Sequence, residues 1–89
     1  MLEQKIMIIN KLGLHARAAT KFSNTARKYA SKIEVSLGSK TIDGKSIISL
    51  MLLAAAKGSE INLRADGTDE REAIENITLL INNKFDEEE

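Results

Sequence analysis

The stretch KIEVSLGSKTI, residues 32–42, predicts two strands of an antiparallel hairpin. Its apolar residues Ile33, Val35 and Leu37 alternate with polar ones, a pattern that buries one face of a strand and leaves the other in water. Gly38-Ser39 then breaks the strand, and the short run that follows is predicted to return alongside it. An antiparallel sheet is therefore the framework around which the rest of the chain is expected to fold.

The segments on either side of the hairpin are predicted from apolar spacing, which is two residues in a strand and three or four in a helix. In chain order we predict a strand at Lys5–Ile9, a helix whose apolar face runs from His15 to Ala30, the hairpin, a helix from Ile47 to about Lys57, a strand around Ile61–Ala65 and a helix after Asp69. The fold class is α+β in the order β-α-β-β-α-β-α, with the helices on one face of the sheet.

Length and composition allow one small domain, which we assign to residues 1–85, followed by an acidic tail at residues 86–89 that we interpret as solubilising. The 13 Lys and Arg balance 13 Asp and Glu, which argues against a nucleic-acid binder. With no Cys and one His, the sequence predicts no metal centre. The start lacks a signal-peptide layout and no apolar stretch would span a bilayer, so we expect a cytoplasmic protein without a membrane partner.

Charge is divided unevenly between the two halves of the chain. Residues 1–45 hold nine Lys or Arg and three Asp or Glu, and residues 46–89 hold four and ten, so the halves carry +6 and −6. Arg17, Lys21 and Lys28 are predicted to share one face of the first helix. This row is either an ordinary solvated face or a docking surface for an acidic partner or an anion.

His15 follows a glycine-containing break and directly precedes the first predicted helix. The backbone N–H groups of Ala16 and Arg17 would be free at that helix start, where the helix dipole is positive, and this combination favours anion binding. The guanidinium of Arg17 adds a forked donor that suits the oxygens of a phosphate. The alternative interpretation is a helix-capping histidine without chemistry.

The segment at residues 47–56 contains nine apolar residues in ten, more than one buried helix face requires. Either this helix is buried on most sides, or one face stays exposed and docks another protein. Ser46 stands where it would cap this helix. A phosphate on Ser46 would bring negative charge beside the apolar patch.

These residues resemble those of the HPr phosphocarrier family of the bacterial phosphoenolpyruvate-dependent phosphotransferase system. The stretch Gly13-Leu14-His15-Ala16-Arg17 is similar to the active-site stretch of the family, and Lys45-Ser46-Ile47 is similar to its regulatory stretch. The resemblance runs from Lys5 to Phe85. Many members have proline after the arginine, where this chain has Ala18, so we expect a small loss of preorganisation in the first helical turn.

The resemblance implies an open-faced β-sandwich, in which three helices cover one side of a four-stranded antiparallel sheet. It implies that His15 accepts a phosphoryl group on Nδ1 from phosphorylated enzyme I and passes it to a histidine of an IIA protein or domain. Arg17 would help to hold that group. The protein would then be a phosphoryl carrier without a cofactor, rather than an enzyme.

The resemblance also implies a regulatory and a docking role for other residues. Ser46 matches the serine that an HPr kinase phosphorylates in some bacteria, which weakens docking to enzyme I. Ile47, Ile48 and Met51 match the apolar docking helix. Apart from the resemblance, the basic row predicts that Lys21 steers the encounter with enzyme I. Nothing in the sequence indicates an obligate oligomer, so we expect a monomer.

Two other functions are compatible with the same residues. One is a regulatory binding module of this fold, controlled at Ser46, in which His15 is idle. The other is an unrelated small α+β domain that binds an anion at the helix start, without a covalent phosphate. The motifs also fit both the sugar branch and the nitrogen branch of the phosphotransferase system.

Overall fold

A four-stranded antiparallel sheet forms one layer of the protein in the computed structural model, which describes residues 1–88. The strands are β1 (Leu2–Met7), β2 (Lys32–Leu37), β3 (Lys40–Asp43) and β4 (Glu60–Asp66). They lie in the order β1-β4-β2-β3, and each neighbouring pair is antiparallel. The predicted hairpin is confirmed by the register of β2 and β3, in which Leu37 is opposite Lys40.

Helices cover one face of this sheet, as the sequence predicts. They are α1 (Ala16–Ala26), α2 (Ile47–Leu53) and α3 (Glu70–Asn82), and a 3-10 turn at Lys84–Asp86 follows α3. In β4, Ile61, Leu63 and Ala65 are buried, whereas the residues between them are partly exposed. The α+β class and the β-α-β-β-α-β-α order are therefore confirmed. Within the described residues, no helix is long and apolar enough to cross a membrane.

The core fills the space between the sheet and the helices. Both phenylalanines, Phe22 in α1 and Phe85 in the 3-10 turn, are fully buried. The other large side chains that are fully buried include Ile8, Ile33, Leu50, Ile61, Leu63, Ile77 and Ile81. Because Phe85 belongs to this core, the chain is anchored to the domain immediately before its acidic C-terminal residues.

Two predicted boundaries are wrong because contacts distant in sequence decide them. Strand β1 is predicted at Lys5–Ile9 but lies at Leu2–Met7, so it begins and ends earlier than predicted. Its bounds follow its pairing with β4, which places Ala65 opposite Leu2. Helix α1 ends at Ala26 and does not reach Ala30. The backbone N–H of Ala30 instead donates to the side chain of Asp69 at 2.8 Å, which draws the chain out of the helix.

The end of α2 is also wrong, since the helix stops at Leu53 and not near Lys57. Ala54 adopts a left-handed conformation, with φ 54° and ψ 39°, and this ends the helix. Beyond it, Ala55 is buried, and its carbonyl accepts a hydrogen bond from the backbone N–H of Leu14 at 2.9 Å. The segment after α2 therefore packs against the loop that precedes α1.

Candidate functional site

A tight loop before α1 fixes the position of His15. Gly13 has a φ of +66°, and its N–H donates to the carbonyl of Asn10 at 3.2 Å. The next residue, Leu14, is buried and bonded to the Ala55 carbonyl. A side chain at Gly13 would clash with that same carbonyl oxygen, so glycine is required both for the left-handed φ and for the close approach.

His15 is the N-cap residue of α1. Its backbone is extended, with φ −76° and ψ 179°, and its carbonyl accepts the N–H of Ala19 at 2.8 Å. Its side chain makes no capping hydrogen bond with residues 1–88. The N–H groups of Ala16 and Arg17 lie in the first turn, where a helix offers them no carbonyl partner and where its dipole is positive. Two candidate anion donors thus directly follow His15.

The side chain of His15 contacts a carboxylate from the other end of the chain. Oε2 of Glu87 lies 2.5 Å from Nε2 of His15. The other carboxylate oxygen of Glu87 accepts a hydrogen bond at 2.8 Å from Nδ2 of Asn10, and the same nitrogen donates to the Gly13 carbonyl. Only 13% of the Glu87 side chain is exposed, against 26% for His15. The contact therefore lies in a partly desolvated corner, where a hydrogen bond to a charged group is strengthened.

The sequence did not indicate this contact. No carboxylate lies near His15 along the chain, and the acidic run at residues 86–89 predicts a solubilising tail. In the structure Asp86 and Glu87 fold back over the domain instead, and Glu89 lies outside the described residues. The one available signal was Phe85, because a single aromatic residue directly before an acidic run is a natural anchor for it.

The chain reverses between α3 and Glu87 through an unusual backbone conformation. Lys84, Phe85 and Asp86 all have positive φ, between 55° and 62°. Such a conformation costs a non-glycine residue about 1–2 kcal/mol, so burial of Phe85 and other contacts must offset it. Nζ of Lys21 donates to the Phe85 carbonyl at 2.8 Å and lies 3.8 Å from the Asp86 carboxylate. Lys21 is a predicted docking residue, and in the structure these contacts of its side chain also stabilise the reversal of the chain.

The pKa of the Glu87 carboxyl lies below its usual value of 4.5. Burial alone would raise that pKa, because burial disfavours the charged form. Hydrogen bonds from Asn10 and His15, together with attraction to His15 and Arg17, outweigh the effect of burial. Glu87 is therefore a charged acceptor for His15 at neutral pH.

An open groove of about 670 Å³ adjoins this contact. It is lined by both basic and acidic residues together with one leucine: Lys11, Leu12, Arg17, Asp86, Glu87 and Glu88. The side chain of Arg17 is exposed. The guanidinium is thus accessible from solvent at the same helix start as the N–H groups of Ala16 and Arg17.

The apolar residues of α2 divide between core and surface. Ile48 and Met51 are exposed, at 71% and 44%, whereas Ile47 is half-buried and packs against the core. Leu52 and Leu12, which are not among the predicted docking residues, are also exposed. Since the segment after α2 is bonded to the loop before His15, this exposed apolar surface and His15 belong to neighbouring parts of the molecule.

Two other predicted residues have clear positions. The hydroxyl of Ser46 caps α2 by accepting the backbone N–H of Ser49 at 3.2 Å. Lys28 lies beyond the end of α1, so it does not continue the row formed by Arg17 and Lys21 on that helix. The prediction that three basic residues share one face of this helix is therefore wrong for Lys28.

The sequence is similar to the sequences of known proteins over almost its whole length. Residues 2–83 match the family model described as the PTS HPr component phosphorylation site. The phosphocarrier protein HPr of Neisseria meningitidis serogroup A is 54% identical over 89 residues, covering 100% of both chains. The phosphocarrier protein NPr of Shewanella violacea is 40% identical, covering 97% of this chain and 94% of the relative.

A solved structure agrees with these sequences. HPr from Thermoanaerobacter tengcongensis superposes with a TM-score of 0.96 at 45% identity, covering 100% of both chains. The same element order, the matched model and full-length relatives lead to one assignment. This chain belongs to the HPr family, the phosphoryl carriers of the bacterial phosphotransferase system, which are carriers and not catalytic enzymes.

Proposed function

We propose that His15 takes up a phosphoryl group on Nδ1 from phosphorylated enzyme I and passes it to a histidine of an IIA protein or domain. The observation that carries this proposal is the position of His15 at the start of α1 with Nε2 engaged by Glu87. That contact leaves Nδ1 as the ring nitrogen for chemistry. The donors of the first helical turn follow immediately in the chain.

The transfer needs positioning and charge stabilisation more than proton transfer. Lone-pair attack by Nδ1 forms the new N–P bond as the P–N bond to the donor histidine breaks, and the donor nitrogen keeps that electron pair. The N–H groups of Ala16 and Arg17 are suited to the phosphoryl oxygens, and the exposed guanidinium of Arg17 is suited to a bidentate contact. Arg17 and Glu87 both line the open groove, so these two residues would be accessible to a partner from solvent.

The exposed apolar residues around α2 support a docking role. Ile48 and Met51 would enter the partner interface, and the half-buried Ile47 would support them from beneath. Lys21 would contribute positive charge from α1 to the encounter with an acidic partner. Enzyme I and the IIA protein would use this surface in turn, because each must bring a histidine to the same Nδ1.

Ser46 supports a second, regulatory role at the same surface. Phosphorylation there by an HPr kinase would add nearly two negative charges at the N-cap of α2, directly before Ile47. Docking to enzyme I would weaken because the added charge must be desolvated in an apolar interface. We further propose that the carrier acts in the cytoplasm as a monomer, although related solved structures include a dimer of the Thermoanaerobacter tengcongensis HPr.

Intact mass after incubation with enzyme I, Mg²⁺ and phosphoenolpyruvate tests the transfer directly. We expect one added phosphoryl group on the wild type, labile in acid, and none on His15→Ala. An HPr that is known to be active serves as control in the same tube. If that control is phosphorylated and the wild-type chain is not, the proposed function is overturned.

A further inference from the structure

We propose that Glu87 is a positioning residue for phosphoryl transfer. Its carboxylate holds His15 with the ring proton on Nε2, and it stabilises the imidazolium that forms when Nδ1 takes up the phosphoryl group. This inference rests on the proposed function of His15 and assigns a role to the C-terminal segment of the chain.

The first observation is how the carboxylate is held. One oxygen of Glu87 contacts Nε2 of His15 at 2.5 Å, and the other accepts from Asn10 at 2.8 Å. Asn10 is fully buried and also donates to the Gly13 carbonyl at 2.8 Å. The loop that positions the His15 backbone therefore also fixes the acceptor of its side chain.

The orientation of the Asn10 amide strengthens this argument. Among residues 1–88, Oδ1 of Asn10 is buried and has no hydrogen-bond partner, whereas Nδ2 has two. A flipped amide would turn its oxygen towards the Gly13 carbonyl and the Glu87 carboxylate, which are both acceptors. Leaving Oδ1 of Asn10 buried without a partner costs free energy. The observed orientation of the amide accepts that cost because the Gly13 carbonyl and the Glu87 carboxylate then each receive a hydrogen bond.

The second observation is that the segment carrying Glu87 is anchored. Phe85 is buried in the core and its carbonyl accepts from Lys21 at 2.8 Å. Glu87 is thus held on both sides, by the core before it and by Asn10 beside it. The other charged groups that line the groove with Glu87 are Lys11, Arg17, Asp86 and Glu88.

The bond changes show why a carboxylate at Nε2 assists. In the form of His15 that attacks phosphorus, the ring proton is on Nε2 and Nδ1 carries the lone pair. As Nδ1 forms its bond to phosphorus, the ring becomes positive and Nε2 keeps its proton. A carboxylate fixed at Nε2 selects the reactive tautomer and offsets the new charge, as a buried carboxylate does for the histidine of a serine protease. The reverse changes occur on transfer to the next histidine.

A competing interpretation predicts the opposite sign. Attraction to Arg17 contributes to the low pKa of Glu87, so the carboxylate lies near the cation that would hold the phosphoryl group. If Glu87 acted mainly as an internal competitor for Arg17, its removal would speed transfer. A positioning role predicts slower transfer, so one rate measurement separates the two.

The test compares Glu87→Ala and Glu87→Gln with the wild type and with Glu75→Ala, which removes the same charge from an exposed position on α3. Rapid-quench kinetics give the rate of transfer from phosphorylated enzyme I, and ¹⁵N shifts of the imidazole give the tautomer. We expect Glu87→Ala to transfer about tenfold more slowly, corresponding to about 1.4 kcal/mol, and to lose the preference for a proton on Nε2.

Glu87→Gln removes the charge but leaves an amide oxygen that can accept from Nε2, while its NH2 group loses the hydrogen bond from Nδ2 of Asn10. We expect it to recover the Nε2–H tautomer and only part of the rate, while Glu75→Ala matches the wild type in both. If Glu87→Ala equals or exceeds the wild-type rate with an unchanged tautomer, the inference is overturned. A wild type that takes up no phosphoryl group would instead overturn the proposed function, so the two failures are distinguishable.

Discussion

Oε2 of Glu87 lies 2.5 Å from Nε2 of His15, although the two residues are 72 positions apart in the chain. The contact ties the C-terminal segment to the start of α1, and in the proposed transfer it leaves Nδ1 as the reacting nitrogen. It also links the protonation of one carboxyl to the structure of the site. The pKa of Glu87 therefore has a measurable consequence for stability.

The first prediction concerns acid. Since the folded-state pKa of Glu87 lies below 4.5, ionised Glu87 stabilises the fold at pH values above about 4.5. That contribution is lost as the pH falls through the lower pKa of the folded state. We expect Glu87→Gln to lower the free energy of unfolding at pH 7, with the difference shrinking in acid. Urea unfolding over a pH series measures it, and a difference that persists in strong acid would contradict the prediction.

The second prediction concerns Gly13. An added Cβ there would meet the backbone carbonyl of Ala55 in addition to the strain of a left-handed φ. We expect Gly13→Ala to lose about 2–4 kcal/mol of stability, from backbone strain and overpacking together, and to displace His15. Gly38→Ala is the matched control, because its φ is +60° and nothing lies within 4 Å of an added Cβ. It should lose only about 1–2 kcal/mol; equal losses in urea unfolding would contradict a steric cause.

The sequence predicts those parts of the fold that a local pattern of residues determines. The alternation at Ile33, Val35 and Leu37 determines a strand without reference to the rest of the chain, and β2 formed as expected. The end of α2 depends instead on the Ala55 carbonyl, which is held by the distant Leu14. No periodicity encodes a contact of that kind, so the sequence does not predict this boundary.

The same reasoning applies to the site. His15 could be selected from the sequence because its chemistry and its place before a helix are local features. Glu87 could not, because its role depends on a chain reversal through Phe85 and on a hydrogen bond from the buried Asn10. An acidic terminus is ordinarily solvated, so its composition gave no reason to place it beside an imidazole.

The third prediction concerns Lys21 and association. Its side chain is only 35% exposed and is held towards Phe85 and Asp86, yet it adds positive charge to α1. We expect Lys21→Glu to slow association with enzyme I several-fold at low salt and to flatten the salt dependence. Lys28→Glu makes the same change in net charge beyond the end of α1. If both variants slow association equally in stopped-flow measurements, net charge and not position is responsible.

The fourth prediction separates the two properties of Ser46. Ser46→Ala removes the hydroxyl that accepts from Ser49, so it should lower stability by about 1 kcal/mol and leave enzyme I binding largely intact. Ser46→Asp keeps a capping oxygen but adds charge before Ile47, so it should retain stability and weaken binding. Calorimetric titration and urea unfolding measure both. Equal affinity of Ser46→Asp and the wild type would contradict the docking model.

The fifth prediction concerns Ala18, where many family members have proline. Ala18 is the third residue of α1, so its N–H has no acceptor within the helix and proline removes no helical hydrogen bond there. We expect Ala18→Pro to raise stability by about 0.4–1 kcal/mol, by restricting the unfolded chain, and to speed transfer to a IIA protein modestly.

Ala19→Pro is the matched control for that substitution. The N–H of Ala19 donates to the His15 carbonyl at 2.8 Å, so proline one residue later removes a helical hydrogen bond. It should cost about 3 kcal/mol or more and disturb the backbone of the site. If Ala18→Pro instead destabilises the protein, the fully buried position of Ala18 has no room for the proline ring. An unchanged transfer rate would show that the first turn of α1 is already ordered enough without proline.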